Sequence, residues 1–283
     1  WGFRSGPQLS GGPAGPFGPA TCQSIAVRAL VVAQESWGSQ GRGPIWGLDA
    51  MERHDPSQLS TRILAKALSL GASLAGSATI RSIRRTPSHR TAVDLRWPET
   101  ARTAVIIALH HPAGEPSLDW WDSRSGKTPG NRELMRVVGD LCQWLAKELA
   151  LSAYALPYGV EDGGIFLKEA AVVAGLGVIG RNNLLVTPRF GSRVRLRALL
   201  LDVDLPDGEW PVFDPCAGCP APCLQACPQE AFARGSYDRR RCLRQIEKDQ
   251  ENPYRIMDMS SMTYAITCIK YCRACELACP VGG

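Results

Sequence analysis

Cys216-Ala-Gly-Cys219-Pro-Ala-Pro-Cys223-Leu-Gln-Ala-Cys227-Pro228 is the stretch on which the reading of this chain turns. A second run, Cys272-Arg-Ala-Cys275-Glu-Leu-Ala-Cys279-Pro280, repeats its ending, Ala-Cys-Pro. Closely spaced thiolates on a loop can wrap the irons of a cube. A Cys just before Pro leads into a helix that carries it to a neighbouring cube. Ferredoxin-type runs read C-x2-C-x2-C-x3-C-P, and the fourth Cys ligates the other cluster. The first run here has one extra residue between its second and third cysteines. CxxC pairs also suit structural zinc, but zinc does not account for Cys-x3-Cys-Pro occurring twice.

The spacing therefore predicts two 4Fe-4S clusters. Cys216, Cys219, Cys223 and Cys279 serve one, and Cys227, Cys272 and Cys275 the other, with Cys242 or Cys268 as the eighth ligand. Simple ferredoxin spacing favours Cys268, although it is one residue out of register.

The chain has 283 residues and eleven cysteines, nine of them between Cys216 and Cys279, with only Cys22 and Cys142 elsewhere. An odd number cannot all pair as disulfides, and a secreted disulfide scaffold is small and spreads its cysteines along the chain. Concentration at one end points to metal in a reducing compartment, and so to the cytoplasm. Hydrophobic residues make up 45% and charged residues 21% of the sequence, ordinary globular material for one large or two modest domains. No apolar run approaches the roughly eighteen residues of a membrane span, so membrane insertion is not expected. The formal net charge of +5 does not by itself argue for nucleic acid.

Residues 1–50 hold 15 of the 49 Gly and Pro residues and no Lys or Met; the first methionine is Met51. Such a segment buries too little apolar surface to offset its ordering entropy. Nor does it have the basic start and apolar core of a signal peptide. The expectation is a disordered or non-native leader at 1–50, an α/β body at 51–205, and a two-cluster region at 206–283.

Within the body, Asp55-Pro56 is a helix start, and Leu59, Ile63, Leu64, Ala67 and Leu68 continue it at helical spacing up to Gly71. Ser73–Ile80 reads as a strand, 81–97 as a basic loop, and Ala104–Leu109 as a buried central strand. Residues 114–130 read as a long loop carrying Trp120 and Trp121, and Asn131 opens a helix to about Leu151. Ala153–Pro157, Leu184–Thr187 and Val194–Leu201 read as strands, with a helix over Gly164–Ala174. Strands alternating with helices indicate an α/β core.

Gly175-Leu-Gly177-Val-Ile-Gly180 matches the GxGxxG pattern of dinucleotide sites. That site needs a strand before it and a helix after it. Here the order is reversed, so these glycines are expected to end a helix and turn the chain.

Taken together, these features resemble the superfamily of epoxyqueuosine reductases and reductive dehalogenases, cobalamin-dependent iron–sulfur reductases. The carrying residues are Ala174-Gly-Leu-Gly-Val-Ile-Gly-Arg-Asn-Asn-Leu-Leu185, Thr187-Pro188, Phe190-Gly191, Arg193-Val-Arg-Leu196, and the two cysteine runs with Cys242 between them. The resemblance implies a cobalamin-binding reductase domain followed by a ferredoxin-like two-cluster domain. It favours Cys242 as the eighth ligand. It places a cobalamin near Gly175, Gly177, Gly180, Asn182 and Asn183, and has the clusters pass single electrons to it for attack on an electrophilic substrate. It implies an electron donor such as a ferredoxin or flavodoxin, with tRNA as a candidate substrate. Alternatives are a ferredoxin-like carrier with no substrate of its own and a non-respiratory reductive dehalogenase. The region before Pro157 departs from the reductase pattern for corrinoid contact, offering only Asp119-Trp-Trp-Asp-Ser-Arg-Ser-Gly-Lys-Thr-Pro-Gly-Asn131.

The resemblance also calls for a general acid just upstream of the glycine turn, where Glu161 and Asp162 stand. Burial would raise such a carboxyl toward working pH; the bland reading is an acid pair at a helix N-terminus. Arg193, Arg195 and Arg197 share one face of a strand, expected to be solvated. His110 and His111 end the buried strand and are expected to hydrogen-bond within a loop.

Overall fold

The computed structural model describes residues 55–282 except 93–94, 96, 211 and 259–261. The leader expected at 1–50 and Cys22 lie outside the described residues. Asp55 accepts a hydrogen bond from the Ser57 N–H and caps α1 (Pro56–Ser69), whose buried stripe is Leu59, Ile63 and Ala67. The chain leaves α1 through Gly71 at φ +111°, a conformation that favours glycine, into β1 (Leu74–Thr79).

Residues 81–97 are not simply loop. Thr79 caps a turn of helix, α2 (Ile80–Ile83), and Pro87 opens another, α3 (Pro87–Thr91). Capping and a proline at the first turn outweigh the polar composition there.

The central strand β2 (Thr103–His110) is buried from Thr103 to Ala108. It lies between β1 and β7 (Val194–Leu201), and the short β4 (Ala153–Ala155) pairs with the other edge of β7. All three pairings are antiparallel. The body therefore alternates strand and helix along the sequence yet builds an antiparallel sheet.

Both faces are covered. α1 and the long α4 (Pro129–Leu149) pack on Val105, Ile107, Leu199 and Leu201. α5 (Leu167–Val173) packs on Ala104, Ile106, Ala108, Ala198 and Leu200. Two-sided burial explains why β2 is a continuous apolar run rather than an alternating one. The small side chains at 104 and 108 let the helix carrying Ala170, Ala171 and Ala174 come close.

The expected long loop at 114–130 holds a 3-10 turn (Pro116–Asp119) and β3 (Trp120–Asp122). β3 pairs antiparallel with β9 (Thr263–Lys270), which pairs with β8 (Tyr254–Asp258). A segment of the body thus completes a sheet of the C-terminal region, a pairing that no local periodicity announces. The remaining elements are the hairpin of β5 (Val178–Ile179) and β6 (Leu185–Val186), the single-turn helices α6 (Pro222–Gln225) and α8 (Ala274–Leu277), and α7 (Arg239–Glu251). The cysteine runs sit on α6, α8 and the turns around them, and those two helices pack together.

Ile106 is fully buried between β1, β7 and α5. Ile106→Ala is expected to cost about 2–5 kcal/mol, read as a lower urea midpoint with an unchanged denaturant slope.

Candidate functional site

Gly175 and Gly177 are glycines because the chain's own backbone crowds them. A Cβ on Gly175 would collide with the Glu209 carbonyl oxygen, and one on Gly177 with that of Val186. Gly175 also turns the chain at φ +72° directly after α5. The turn carries the hairpin β5–β6 to the cysteines: a Cβ on Gly180 would lie 3.7 Å from Cys216 Sγ.

Asn182 is 3% exposed; its amide donates to the Cys275 carbonyl (3.3 Å), and its Oδ1 accepts from the Leu184 N–H. Asn183 sits in the left-handed region, and its carbonyl accepts from Lys168 Nζ at 2.6 Å. These five residues hold the chain's own loops together. Backbone fills the space beside Gly175 and Gly177, and side chains of Val186 and Asn182 fill that beside Gly180.

The cysteines fall into two groups. Cys216, Cys219, Cys223 and Cys279 line one small cavity of about 20 Å³, together with Asn182, Val186 and Val281 among others. Burial pushes the Cys223 thiol up, and Cys279, Cys216 and Cys219 push the same way. The second group is drawn together around Cys275. Burial pushes its thiol up to about 12, reinforced by Cys272, Cys242 and Cys227. Like-charge neighbours of this kind resist carrying four thiolates until a cation joins them, and binding then releases protons.

Backbone N–H groups already aim at the sulfurs: Ala221 to Cys219 Sγ (3.4 Å) and Ala231 to Cys227 Sγ (3.3 Å). Soft, thiol-only donor sets suit iron–sulfur clusters or zinc. Among the described residues, no three His, Cys, Asp or Glu side chains converge tightly enough for a single metal ion. Thiols gathered in fours but spread apart fit a cube better than one zinc atom, whose ligand sulfurs lie about 2.3 Å from it.

Cys268 is set apart from both groups. It is buried on β9 opposite Asp122 and Tyr254, in a groove with Ser125 and Arg132. Glu161 and Asp162 are exposed on the tight turn between Gly159 and Gly164. Neither belongs to the lining of the cysteine cavity.

The arginine strand face is not solvated. Arg193 is 5% exposed and donates to the carbonyls of Cys279 (3.3 Å) and Val281 (3.1 Å). Arg195 reaches Asp119 and Glu276, both at 2.8 Å. Arg273, inside the second cysteine run, binds the same two acids at 2.7 and 2.5 Å. Arg197 donates to Asn131 and lies over the Tyr158 ring.

His111, wholly buried, pairs its Nδ1 with Asp119 Oδ1 at 2.8 Å, and its carbonyl accepts from Arg273 at 2.8 Å. A carboxylate only accepts, so Nδ1 carries the proton. His110 stacks on Phe190. Burial would push the Asp119 carboxyl up, but the His111 hydrogen bond and the charges of Arg195 and Arg273 hold it below the ordinary range. None of this network was legible beforehand: Arg273 and Glu276 look like loop polar residues, and only their place between ligand cysteines hints at more.

No protein-family model matches the chain. It is 32% identical over 148 residues to the epoxyqueuosine reductase of Gloeobacter violaceus, covering 50% of this chain and 45% of that one. It is 39% identical over 109 residues to the tetrachloroethene reductive dehalogenase of Desulfitobacterium hafniense, covering 37% and 19%. The chain is similar to epoxyqueuosine reductases and reductive dehalogenases. It spans about half the length of the curated epoxyqueuosine reductases it matches first. Its fold is likewise that of solved members of both groups. An epoxyqueuosine reductase solved with an epoxyqueuosine-modified tRNA stem loop superposes at TM-score 0.54, 19% identity, 81% of this chain and 66% of that one. A catabolic reductive dehalogenase superposes at TM-score 0.57, 17% identity, 83% and 33%.

Asp119→Asn leaves the Arg273 guanidinium and the half-buried Arg195 guanidinium each short of a carboxylate and is expected to cost about 3 kcal/mol. Because the folded-state pKa of Asp119 is depressed, its stabilisation is present at neutral pH and is lost as pH falls below about 4. Urea unfolding across pH 7 to 2 should show a flatter acid limb for Asp119→Asn than for wild type.

Proposed function

We propose that this chain is an iron–sulfur oxidoreductase of the epoxyqueuosine reductase kind, with one 4Fe-4S cluster in each cysteine quartet. The observation that carries the reading is the gathering of eight thiols, from two separated runs and Cys242, into two groups of four. When bound, such clusters accept and pass on single electrons.

The chain's own residues supply the rest. Ala221 and Ala231 direct N–H groups at ligand sulfurs, which stabilises thiolate charge. Val186 and Val281 wall the first quartet with apolar surface. Arg193, Arg195 and Arg273 tie the second cysteine run to the central sheet. A ferredoxin or flavodoxin is the expected donor, in a reducing cytoplasm.

The substrate is a finer proposal. The relative solved with a modified tRNA stem loop supports an electrophile carried on tRNA. Glu161 and Asp162 are the proposed proton donors, although their exposure means that a bound substrate would have to supply the burial an acid catalyst needs. The resemblance makes a cobalamin the acceptor of the electrons. On the chain's own residues, the reading rests on the two cysteine groups. The exposure of Glu161 and Asp162, away from the cysteine cavity, favours a second reading, an electron-transfer protein feeding a partner enzyme.

Anaerobic reconstitution with iron, sulfide and cobalamin tests these readings together. About eight irons per chain are expected, four for each cube. Cys242→Ser should lose about half of them, while Cys268→Ser keeps them all. A tightly retained corrinoid selects the reductase, which is then assayed on epoxyqueuosine in tRNA beside a haloarene panel. Full iron with no retained corrinoid selects the carrier. About two zinc ions and no iron would sink both.

A further inference from the structure

Cys242 differs from the other seven quartet cysteines. It belongs to neither run and stands in the first turn of α7, which Asp238 caps by accepting from the N–H groups of Arg240 and Arg241. Two polar side chains from different parts of the fold act on its sulfur, one by a hydrogen bond and one by its charge. Tyr237, just ahead of the helix, hydrogen-bonds the Cys242 thiol, and its ring packs against Phe232 with centroids 5.7 Å apart. Lys168, on α5 of the body, is anchored by the Asn183 carbonyl at 2.6 Å and faces Cys242 with its charge.

Two acids oppose them. Glu276, paired with Arg195 and Arg273, acts on Cys275. Asp249 also acts on Cys242, but its carboxylate is engaged by the Cys272 N–H (2.7 Å) and the Gln245 amide (2.9 Å). In the first quartet, the contacts to sulfur come from backbone N–H groups: Ala221 on Cys219 and Leu224 on Cys223.

Reduction adds one negative charge to a cluster. A hydroxyl donating to a ligand sulfur and an ammonium beside it both stabilise the more negative state. Hydrogen bonds to sulfur and local net charge are the levers that set iron–sulfur potentials. We propose that Tyr237 and Lys168 raise the reduction potential of the cluster held by Cys227, Cys242, Cys272 and Cys275. The inference deepens the iron–sulfur reading above and depends on it. Neither side chain ligates metal; both act through Cys242 as positioning residues that set its electronic environment. The carbonyl anchor on Lys168 comes from Asn183, so the glycine turn has a part in that environment.

The test uses full-length wild-type, Tyr237→Phe, Lys168→Met and Lys168→Arg proteins, reconstituted anaerobically with iron and sulfide. Iron is counted, and each protein is titrated with dithionite while EPR follows the reduced clusters. Wild type should show two couples. In Tyr237→Phe and Lys168→Met one and the same couple should fall and the other stay in place, with Lys168→Arg restoring it. At the wild-type midpoint the oxidised-to-reduced ratio of that cluster should rise about tenfold in Lys168→Met, or about 59 mV for a one-electron couple.

Couples that ignore both substitutions, or that shift equally, overturn the inference while leaving the iron–sulfur reading intact. Loss of half the iron in Tyr237→Phe also overturns it, because Tyr237 then holds the cluster rather than tuning it. A wild-type protein that takes up no iron overturns both readings.

Discussion

Two carboxylates and two guanidinium groups, all but Arg195 largely shut away from water, join the halves of this molecule. Asp119 and Glu276 each bind both Arg195 and Arg273, and His111 closes the network on Asp119. Charges taken from water carry a desolvation penalty of several kcal/mol each, and only a fully paired arrangement offsets it. Here the four charges cancel and each carboxylate meets two cations. One acid and one arginine come from the body and the others from within the second cysteine run. The penalty for separating them is therefore a penalty for moving that run away from the central sheet.

The rest of the cysteine region leans on that clamp. Arg193 on β7 binds the carbonyls of Cys279 and Val281, Ser192 binds that of Glu276, and Asn182 binds that of Cys275. Loops rich in Gly and Pro and carrying closely spaced cysteines have little regular structure in which to satisfy their carbonyls. Polar side chains on rigid strands and on the glycine turn take over that task. This explains why the arginine face of β7 points into protein rather than solvent. It also explains why the glycine turn contains two successive asparagines: one binds a cysteine loop, and the other occupies the left-handed conformation that asparagine tolerates.

Much of the architecture could be read along the chain. The helix at Pro56, the strand Val194–Leu201 and the long helix ending near Leu149 follow from capping residues and apolar spacing. The short helices at Ile80–Ile83 and Pro87–Thr91 were hidden by their basic composition, because four or five residues carry too little periodicity to register. The strand Trp120–Asp122 was hidden for another reason. Three residues become a strand only when Thr263–Lys270 arrives to pair with them, and that partner is remote in sequence.

Cysteine type and spacing by themselves pointed to iron–sulfur chemistry, and apolar periodicity delimited the main helices and strands, because these are local properties of the chain. Which residue stands beside which sulfur is not local. The approach of Tyr237 and Lys168 to Cys242, the isolation of Cys268 on a strand, and the burial of Arg193, Asp119 and Glu276 emerged only in three dimensions. Electrostatic environment depends on distance and on exclusion of water, and both are set when remote segments pack together.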